Sequence, residues 1–157
     1  MSTIMPCLWS NGQAEEMANF YTSIFKNSHI GNIARYPEGS PVPAGTVLTA
    51  KFTIDDQEFM IINGGPEFSF SEAISFYVSC ETQAEIDRMW AQLTADGGEE
   101  GPCGWLKDKF GLSWQIAPPI LGELLQDPDP AKSKRVMETM LQMKKIDISA
   151  LKQAYEG

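Results

Sequence analysis

The sequence contains few of the residues that build metal centres and disulfide frameworks. Among its 157 residues are one histidine and three cysteines, and no two cysteines form a Cys-x-x-Cys pair. A single histidine excludes a His-rich metal cluster, and three isolated cysteines provide neither a zinc ribbon nor a disulfide scaffold. We therefore expect the protein to be located in the reducing cytoplasm.

Positive charge and long apolar runs are also scarce. Twelve Lys and Arg residues face 21 Asp and Glu residues, which gives a formal net charge of −9 at pH 7. A chain this acidic is repelled by nucleic-acid backbones and by anionic membrane surfaces. No apolar run approaches the ~18 residues that span a bilayer, and residues 1–9 lack the basic segment of a secretory signal peptide. We expect neither a nucleic-acid partner nor a membrane partner.

The stretch CGWLKDKFGLSWQIAP, residues 103–118, predicts a β-hairpin. Two strand-like runs, 103–107 and 112–117, flank a turn in which Gly111 supplies the positive φ that such turns require. Before this hairpin, residues 73–80 predict a strand and 82–93 a helix, for which Thr82 and Glu85 are spaced as a capping box. The second half of the chain is thus predicted to run strand, helix and then further strands.

The first half of the chain repeats this order. Each half has one helix with four apolar residues on one face, and the second set follows the first at a constant offset: Met17, Phe20, Tyr21 and Ile24, then Ile86, Met89, Trp90 and Leu93. We interpret this as a βαβββ module written twice, at about residues 1–66 and 73–118. Neither copy is large enough to bury a good core alone, so the two are expected to pair, within one chain or across a dimer. The predicted fold class is α+β.

Residues 119–157 differ in character and are predicted to form a C-terminal helical tail within the same domain. The predicted helices cover 120–126, 132–144 and a last segment that ends near residue 155. The middle helix carries a methionine-rich stripe, which more often packs against a sheet or a partner subunit than binds a ligand.

The doubled pattern, with FYTSIF in the first helix and DKFGLSWQIAP at the end, resembles the vicinal oxygen chelate superfamily of glyoxalases, bleomycin-resistance proteins and dioxygenases. A narrower resemblance is to its PhnB-like branch, named 3-demethylubiquinone-9 3-methyltransferase. The segments FSFSEAISFYVSC, QAEIDRMW and LQMKKIDISAL carry this match. The resemblance implies two βαβββ modules that form a cupped mixed sheet, and a homodimer.

In members with metal chemistry, His and Glu ligands point into this cup from the leading and closing strands. The matching positions here are Pro6 or Leu8 and Ala73 or Ser75 on the leading strands. On the closing strands they are Ile61, with Asn63 next on that face, and Gln115. None of these is a His, Asp or Glu, and a hard divalent ion needs anionic or imidazole ligands. We therefore predict no metal site and no cofactor.

Strand alternation places Ser75 and Tyr77 opposite the apolar set of their strand, facing the cup, and Gln115 should point there too. With Leu8, Asn63 and Trp105 these residues are the predicted ligand-binding set. Aromatic walls with a few fixed hydrogen-bonding groups are how proteins hold small organic molecules. The alternative is that the same side chains simply fill the interior.

Candidate catalytic residues are few. Tyr77, Cys80 and Cys103 are the only ones we single out, and for the two cysteines burial as small apolar residues is the more ordinary role. His29 has no placed partner, so we expect it on a surface or at a sheet edge. We interpret Asp108 and Lys109 as turn charges and Glu99-Glu100 as solvated surface.

Three functions remain open at this point. The first is metal-independent binding of a small organic molecule in an aromatic cup. The second is an enzyme of the superfamily: a lyase, an isomerase or a transferase. The transferases considered include the methyltransferase activity after which the branch is named. No glycine-rich strand-to-helix loop supports a Rossmann-type methyltransferase, because Gly64-Gly65 precedes Pro66 rather than a helix. The third is an interaction protein that assembles through its acidic surface and methionine-rich tail.

Overall fold

The computed structural model describes residues 3–157 and divides into two compact units. The first unit ends at Phe70, and the second spans Ser71–Gly157. Each unit begins with a strand and a helix and continues with further strands. Within the described residues, no helix is both long and apolar enough to cross a bilayer.

The first unit is a four-stranded mixed sheet with one helix packed on it. The elements in chain order are β1 Cys7–Ser10, α1 Ala14–Ile24, β2 Ser28–Arg35, β3 Val47–Ile54 and β4 Gln57–Asn63. The sheet order is β1-β4-β3-β2, in which β1 runs parallel to β4 and the other pairs are antiparallel. The turn between β3 and β4 places Asp55 and Asp56 at positive φ, as a two-residue hairpin requires.

The helix α1 is held on its sheet by an apolar face. Met17, Tyr21 and Ile24 recur at helical spacing and are almost completely buried. The Tyr21 ring lies 5.5 Å from the ring of Phe52 on β3. This contact identifies which face of the first sheet is turned toward α1.

The second unit repeats the architecture of the first. Its elements are β5 Ser75–Ser79, α2 Gln83–Thr94, a 3₁₀ turn Ala95–Gly97, β6 Glu99–Glu100, β7 Trp105–Lys107 and β8 Ser113–Ala117. The sheet order is β5-β8-β7-β6, with β5 parallel to β8. The repeated βαβββ pattern confirms the predicted α+β fold class. The boundary between modules and tail predicted at residue 118 remains a prediction.

The predicted start of α2 is confirmed in detail. Thr82 is the N-cap, and its hydroxyl accepts a hydrogen bond from the Glu85 amide at 3.2 Å. Ile86 and Leu93 are fully buried, and Met89 and Trp90 nearly so. Glu99-Glu100, interpreted from the sequence as solvated surface, are exposed and also form the short edge strand β6. Trp90 explains part of this, because its indole donates to the Glu100 carboxylate at 2.6 Å.

The C-terminal helical segment, residues 119–157, belongs to the second unit. It contains α3 Pro119–Leu125, α4 Pro130–Leu141 and α5 Ile148–Glu156. These helices share one apolar cluster, whose buried members are Ala117, Leu121, Val136, Ile146 and Leu151. Met140 and Met143 pack against that cluster, whereas Met137 is 41% exposed. Only part of the methionine stripe is therefore packing.

The helical segment is anchored to the helix α2 of the same unit. The Gln83 side chain donates to the Ile146 carbonyl at 3.0 Å and accepts from the Ile148 amide at 2.9 Å. An ion pair joins Lys145 to Asp87 at 2.8 Å. Because both the nitrogen and the oxygen of the Gln83 carboxamide are bonded to it, the turn before α5 is held in one place on α2.

Candidate functional site

The candidate site is built on the second sheet. Strand pairing aligns Tyr77 of β5 with Gln115 of β8, and Gln115 with Trp105 of β7. Side chains at paired positions of neighbouring strands project from the same side of a sheet. Ser75 lies two residues before Tyr77 and therefore shares that side. We call the side that carries Ser75, Tyr77, Trp105 and Gln115 the open face.

The other side of this sheet is packed against α2. One row of paired residues crosses the four strands on this side: Phe76, Trp114, Leu106 and Glu100. The Glu100 carboxylate accepts a hydrogen bond from the Trp90 indole of α2, so this row faces the helix. Leu106 and Trp114 are each 2% exposed. The helix therefore takes the more apolar set of each strand, and the polar and aromatic set is left on the open face.

The open face combines fixed polar groups with accessible aromatic surface. The Gln115 amide donates to the Ser75 hydroxyl at 2.9 Å, so both side chains have a defined orientation. Tyr77 is 59% exposed, and Trp105 is half-buried. An indole and a phenol beside an amide–hydroxyl pair form a surface that can stack a planar or apolar ligand and orient its polar groups.

A cavity of about 360 Å³ opens at the β6–β7 end of this sheet. We call it the edge cavity, and its lining is Glu72, Glu99, Glu100, Gly101, Pro102, Trp105, Leu106, Lys107 and Ser113. Its volume falls within the range of roughly 300–1,000 Å³ that is typical of ligand pockets. Trp105 belongs both to the cavity wall and to the open face, so the two features are continuous.

Two residues of the predicted ligand-binding set, Leu8 and Asn63, lie on the wrong side of their sheet for the predicted role. Leu8 pairs with Ile61, which is fully buried and pairs with Ala50 on the α1 side. Asn63 follows on the same side, where its carbonyl oxygen accepts from the Ala14 amide at 3.0 Å. Asn63 therefore caps α1, and Leu8 is core, so their expected orientation into a cup was wrong.

Sequence reasoning missed Asp108, which organises the turn before β8. Asp108 is 2% exposed, and one of its carboxylate oxygens accepts from the amides of Phe110 and Leu112 at 2.9 and 3.1 Å. The other oxygen accepts from the Trp114 indole at 2.9 Å. The sequence predicted only that Asp108 is a turn charge. The signal that was available is the spacing of an Asp, a Gly three residues later and a Trp six residues later.

The candidate catalytic cysteines do not meet at the open face. Cys80 is 1% exposed at the end of β5, and burial, with the Glu85 carboxylate as a smaller cause, raises the pKa of its thiol to about 11. Cys103 has φ +56 and donates its backbone amide to the Met143 carbonyl at 2.8 Å. A thiol with a raised pKa is a poor nucleophile at neutral pH.

We expect Cys80 to resist alkylation in the folded protein. A shift from 9.0 to about 11 lowers the thiolate fraction at pH 8 by about 100-fold, and steric burial lowers the rate further. Peptide mapping after iodoacetamide treatment should show Cys80 reacting at least 100-fold more slowly in buffer than in 8 M urea. A rate within threefold of the unfolded rate would return Cys80 to the list of reactive candidates.

The residues at the predicted metal-ligand positions do not fit a divalent metal ion. On the open face those positions are Ser75 and Gln115, which offer a hydroxyl and an amide that already bond each other. Within residues 3–157, no three His, Cys, Asp or Glu side chains are grouped to hold a metal. His29, the single histidine, lies exposed on β2.

Comparison with known proteins identifies the relatives of this architecture. Residues 2–117 match the family described as 3-demethylubiquinone-9 3-methyltransferase, and the match ends at the last residue of β8. A Bacillus cereus structure described as a putative 3-demethylubiquinone-9 3-methyltransferase, PhnB protein, is 42% identical. It covers 73% of this chain and 98% of its own, with a TM-score of 0.65.

More distant structures share the fold alone. A Pseudomonas aeruginosa protein is 19% identical, with a TM-score of 0.61, and covers 75% of this chain and 98% of its own. The fosfomycin resistance protein FosX of Mesorhizobium loti is 14% identical, with a TM-score of 0.59, and covers 80% and 98%. No curated protein matches the sequence significantly. On its family match and on its 42% identity to the Bacillus cereus protein, the chain belongs to the PhnB-like 3-demethylubiquinone-9 3-methyltransferase family.

Proposed function

We propose that this protein binds a small organic molecule against the open face of its second sheet, and that it does so without a metal ion. One observation carries the proposal: the Gln115–Ser75 hydrogen bond fixes two polar groups on the same face as the accessible rings of Tyr77 and Trp105, with Gln115 between those rings. Such a surface supplies stacking area and oriented hydrogen-bonding groups together. The edge cavity beside Trp105 adds volume for the rest of the ligand.

The donor chemistry supports the metal-independent part of the proposal. A divalent ion at this face would have only the Gln115 amide and the Ser75 hydroxyl as nearby protein ligands from the predicted positions. Neither group is anionic, and each would have to give up its bond to the other. We therefore assign the pair to ligand orientation.

The test uses three probes of similar size that share a phenyl ring: 2-phenylethylamine, 2-phenylethanol and 3-phenylpropanoate. Each is titrated into EDTA-treated protein and followed by ligand-observed NMR. We expect at least one probe to bind, and we expect Trp105→Ala to weaken it at least tenfold by removing the ring that the ligand stacks on. Tyr77→Ala should weaken it about threefold, with little change in thermal stability because Tyr77 is largely exposed.

A matched control is Phe68→Ala, which removes an exposed ring of the first unit (66% exposed) and should leave probe binding unchanged. Two results would overturn the proposal. One is the absence of binding of all three probes to the unaltered protein at millimolar concentration. The other is binding that requires added divalent metal.

We also propose that the protein is a cytoplasmic homodimer in which paired modules complete each site. The exposed Ile74 and Tyr77 on and beside the edge strand β5 support an interface there. Sedimentation equilibrium at micromolar concentration tests this, and a monomer would refute it.

A further inference from the structure

The Gln115–Ser75 pair on the open face keeps hydrogen-bonding groups in reserve. A carboxamide has one acceptor oxygen and two N–H hydrogens, and a hydroxyl has one donor hydrogen and two acceptor sites. The Gln115 amide nitrogen donates one hydrogen to the Ser75 hydroxyl at 2.9 Å. This bond leaves the Gln115 carbonyl oxygen, the second amide hydrogen and the Ser75 hydroxyl hydrogen for other partners.

The carbonyl oxygen of Gln115 is open to solvent. No group between residues 3 and 157 donates to it. Within the same residues, Ser113 Oγ is the only buried side-chain oxygen or nitrogen that lacks a partner, so the unpartnered Gln115 oxygen is an accessible one. Ser75 and Gln115 are both half-buried. A molecule on the open face can therefore reach the pair.

The pair presents an acceptor beside a donor whichever way the Gln115 carboxamide is turned. With its nitrogen toward Ser75, the Gln115 oxygen accepts and the Ser75 hydroxyl donates. With the carboxamide rotated by half a turn, its nitrogen would donate outward and the Ser75 oxygen would accept. Either arrangement complements a ligand edge that has a donor next to an acceptor, as the cis amide of a lactam ring has. A carboxylate offers acceptors alone and an ammonium donors alone, so each matches only half of the pair.

The charged side chains that reach this face from the edge cavity do not favour an ion at the pair. Lys107 forms an ion pair with Glu72. Their shared hydrogen bond is the largest cause of the lowered pKa of Glu72 and of the raised pKa of Lys107, so both are charged at neutral pH. Glu99 lies on β6, two strand spacings or about 10 Å from β8, which carries Gln115. A neutral ligand therefore suits the Gln115–Ser75 pair better than an ion does.

Two aromatic side chains lie on either side of Gln115. Tyr77 and Trp105 pair with it from the neighbouring strands β5 and β7, so their backbones lie about 10 Å apart across β8. A planar molecule that contacts one ring on each of its faces, at about 3.5–4 Å, takes about 7–8 Å of that width. A flat ligand can therefore enter between the rings with one edge toward Gln115.

We propose that the ligand of the open face is a neutral planar molecule with a cis-amide edge, of the class of fused-ring lactams. Its N–H donates to the Gln115 oxygen, its carbonyl oxygen accepts from the donors of the Gln115–Ser75 pair, and its rings lie between Tyr77 and Trp105. This inference rests on the proposed function and names the chemical class of its ligand.

The test compares 2-quinolone with coumarin, a molecule of the same shape in which a ring oxygen replaces the N–H. Each is titrated into the full-length, EDTA-treated protein and followed by ligand-observed NMR. We expect 2-quinolone to bind at least fivefold more tightly, because the ring oxygen of coumarin would meet the Gln115 oxygen acceptor to acceptor. Methylation of the ring nitrogen, in 1-methyl-2-quinolone, removes the same hydrogen and should lower the affinity to that of coumarin or below.

Two variants assign the preference to the pair. Gln115→Met keeps the length of the side chain without its polar groups and should reduce the preference for 2-quinolone over coumarin to twofold or less. Ser75→Ala removes one donor and the partner that orients Gln115, and should weaken 2-quinolone at least threefold. Melting curves verify that each variant is folded. Gln153→Met on α5, an exposed position outside the open face, is the matched control and should change neither affinity.

The outcomes tell a failure of the inference from a failure of the proposed function. If 2-quinolone binds less than fivefold more tightly than coumarin and Trp105→Ala weakens both, the aromatic site stands and the amide-edge inference is wrong. The same holds if neither bicycle binds but one of the phenyl probes does. If no probe of either set binds at millimolar concentration, the proposed function is wrong and the inference is lost with it. A preference that survives in folded Gln115→Met, or 2-quinolone binding that Ser75→Ala leaves unchanged, also refutes the inference.

Discussion

Replacing Asp108 with alanine should lower the free energy of unfolding by about 3–5 kcal/mol. The carboxylate accepts from the Leu112 amide and the Trp114 indole, and both of those residues are only 2% exposed. Each buried donor left without an acceptor costs about 1–3 kcal/mol, and charge-assisted bonds lie at the upper end. Urea denaturation followed by circular dichroism measures the loss.

The Asp108→Asn variant isolates the indole bond. Its single carbonyl oxygen can still serve the backbone amides of the turn, but its NH₂ group would meet the Trp114 indole donor to donor. We expect a loss of about 1–3 kcal/mol, which should shrink when Trp114→Phe has already removed the indole donor. The double-mutant cycle should yield a coupling of at least 1 kcal/mol. An Asp108→Ala variant that unfolds at the same urea concentration as the unaltered protein would show that the turn does not depend on this carboxylate.

The parts of the fold that the sequence predicted are those with a strong period or a local cap. The helix α2 has four apolar residues at helical spacing and a Thr82 cap, and both survive in the structure. Gly111 has φ +87, as its predicted turn required. These features depend on neighbours within a few residues, so a sequence pattern contains most of the information.

The misplaced residues depended on distant partners. In β1, Leu8 and Trp9 are adjacent and both apolar, so alternation alone does not say which of them faces the helix. The answer comes from α1, which packs on the Ile61 side, and from Asn63, which caps that helix. The open-face residues were easier to place, because Ser75 and Tyr77 alternate with Phe76 and Val78 and only one set is apolar.

To predict the role of Asp108 from the sequence, one would have to know the Trp114 rotamer. To predict the short strand β6, one would have to know that it pairs with β7. A two-residue strand has no period of its own, and Glu99-Glu100 has the composition of a solvated turn. The strand β6 lines the edge cavity, and the Asp108 carboxylate bonds to Trp114 on β8 of the same sheet. The chemistry of this site therefore depends on the contacts that local sequence patterns describe least well.

The second large effect is expected at Gly104, where the C-terminal helical segment meets the site. Gly104 has φ +84, its amide donates to Lys144 at 2.7 Å, and its carbonyl accepts from Ile116 at 2.8 Å. A Cβ added here would lie 2.8 Å from the Ile116 carbonyl oxygen and 3.1 Å from Cγ1 of Ile146. With both backbone groups bonded, the loop cannot move to relieve the clash.

Gly104→Ala should therefore cost about 2–4 kcal/mol, of which about 1–2 kcal/mol is left-handed backbone strain and the rest overpacking. Gly111→Ala supplies the strain alone, because its φ is +87 but no atom lies within 4 Å of the added Cβ, and should cost about 1 kcal/mol. Gly122→Ala in α3 has neither problem and should stabilise the protein by about 0.5–1 kcal/mol. If Gly104→Ala loses no more stability than Gly111→Ala, the contact with Ile116 and Ile146 is not limiting. If the predicted order holds, the segment that follows the family match at residue 117 is a structural support for the loop before Trp105, and thus for the wall of the binding site.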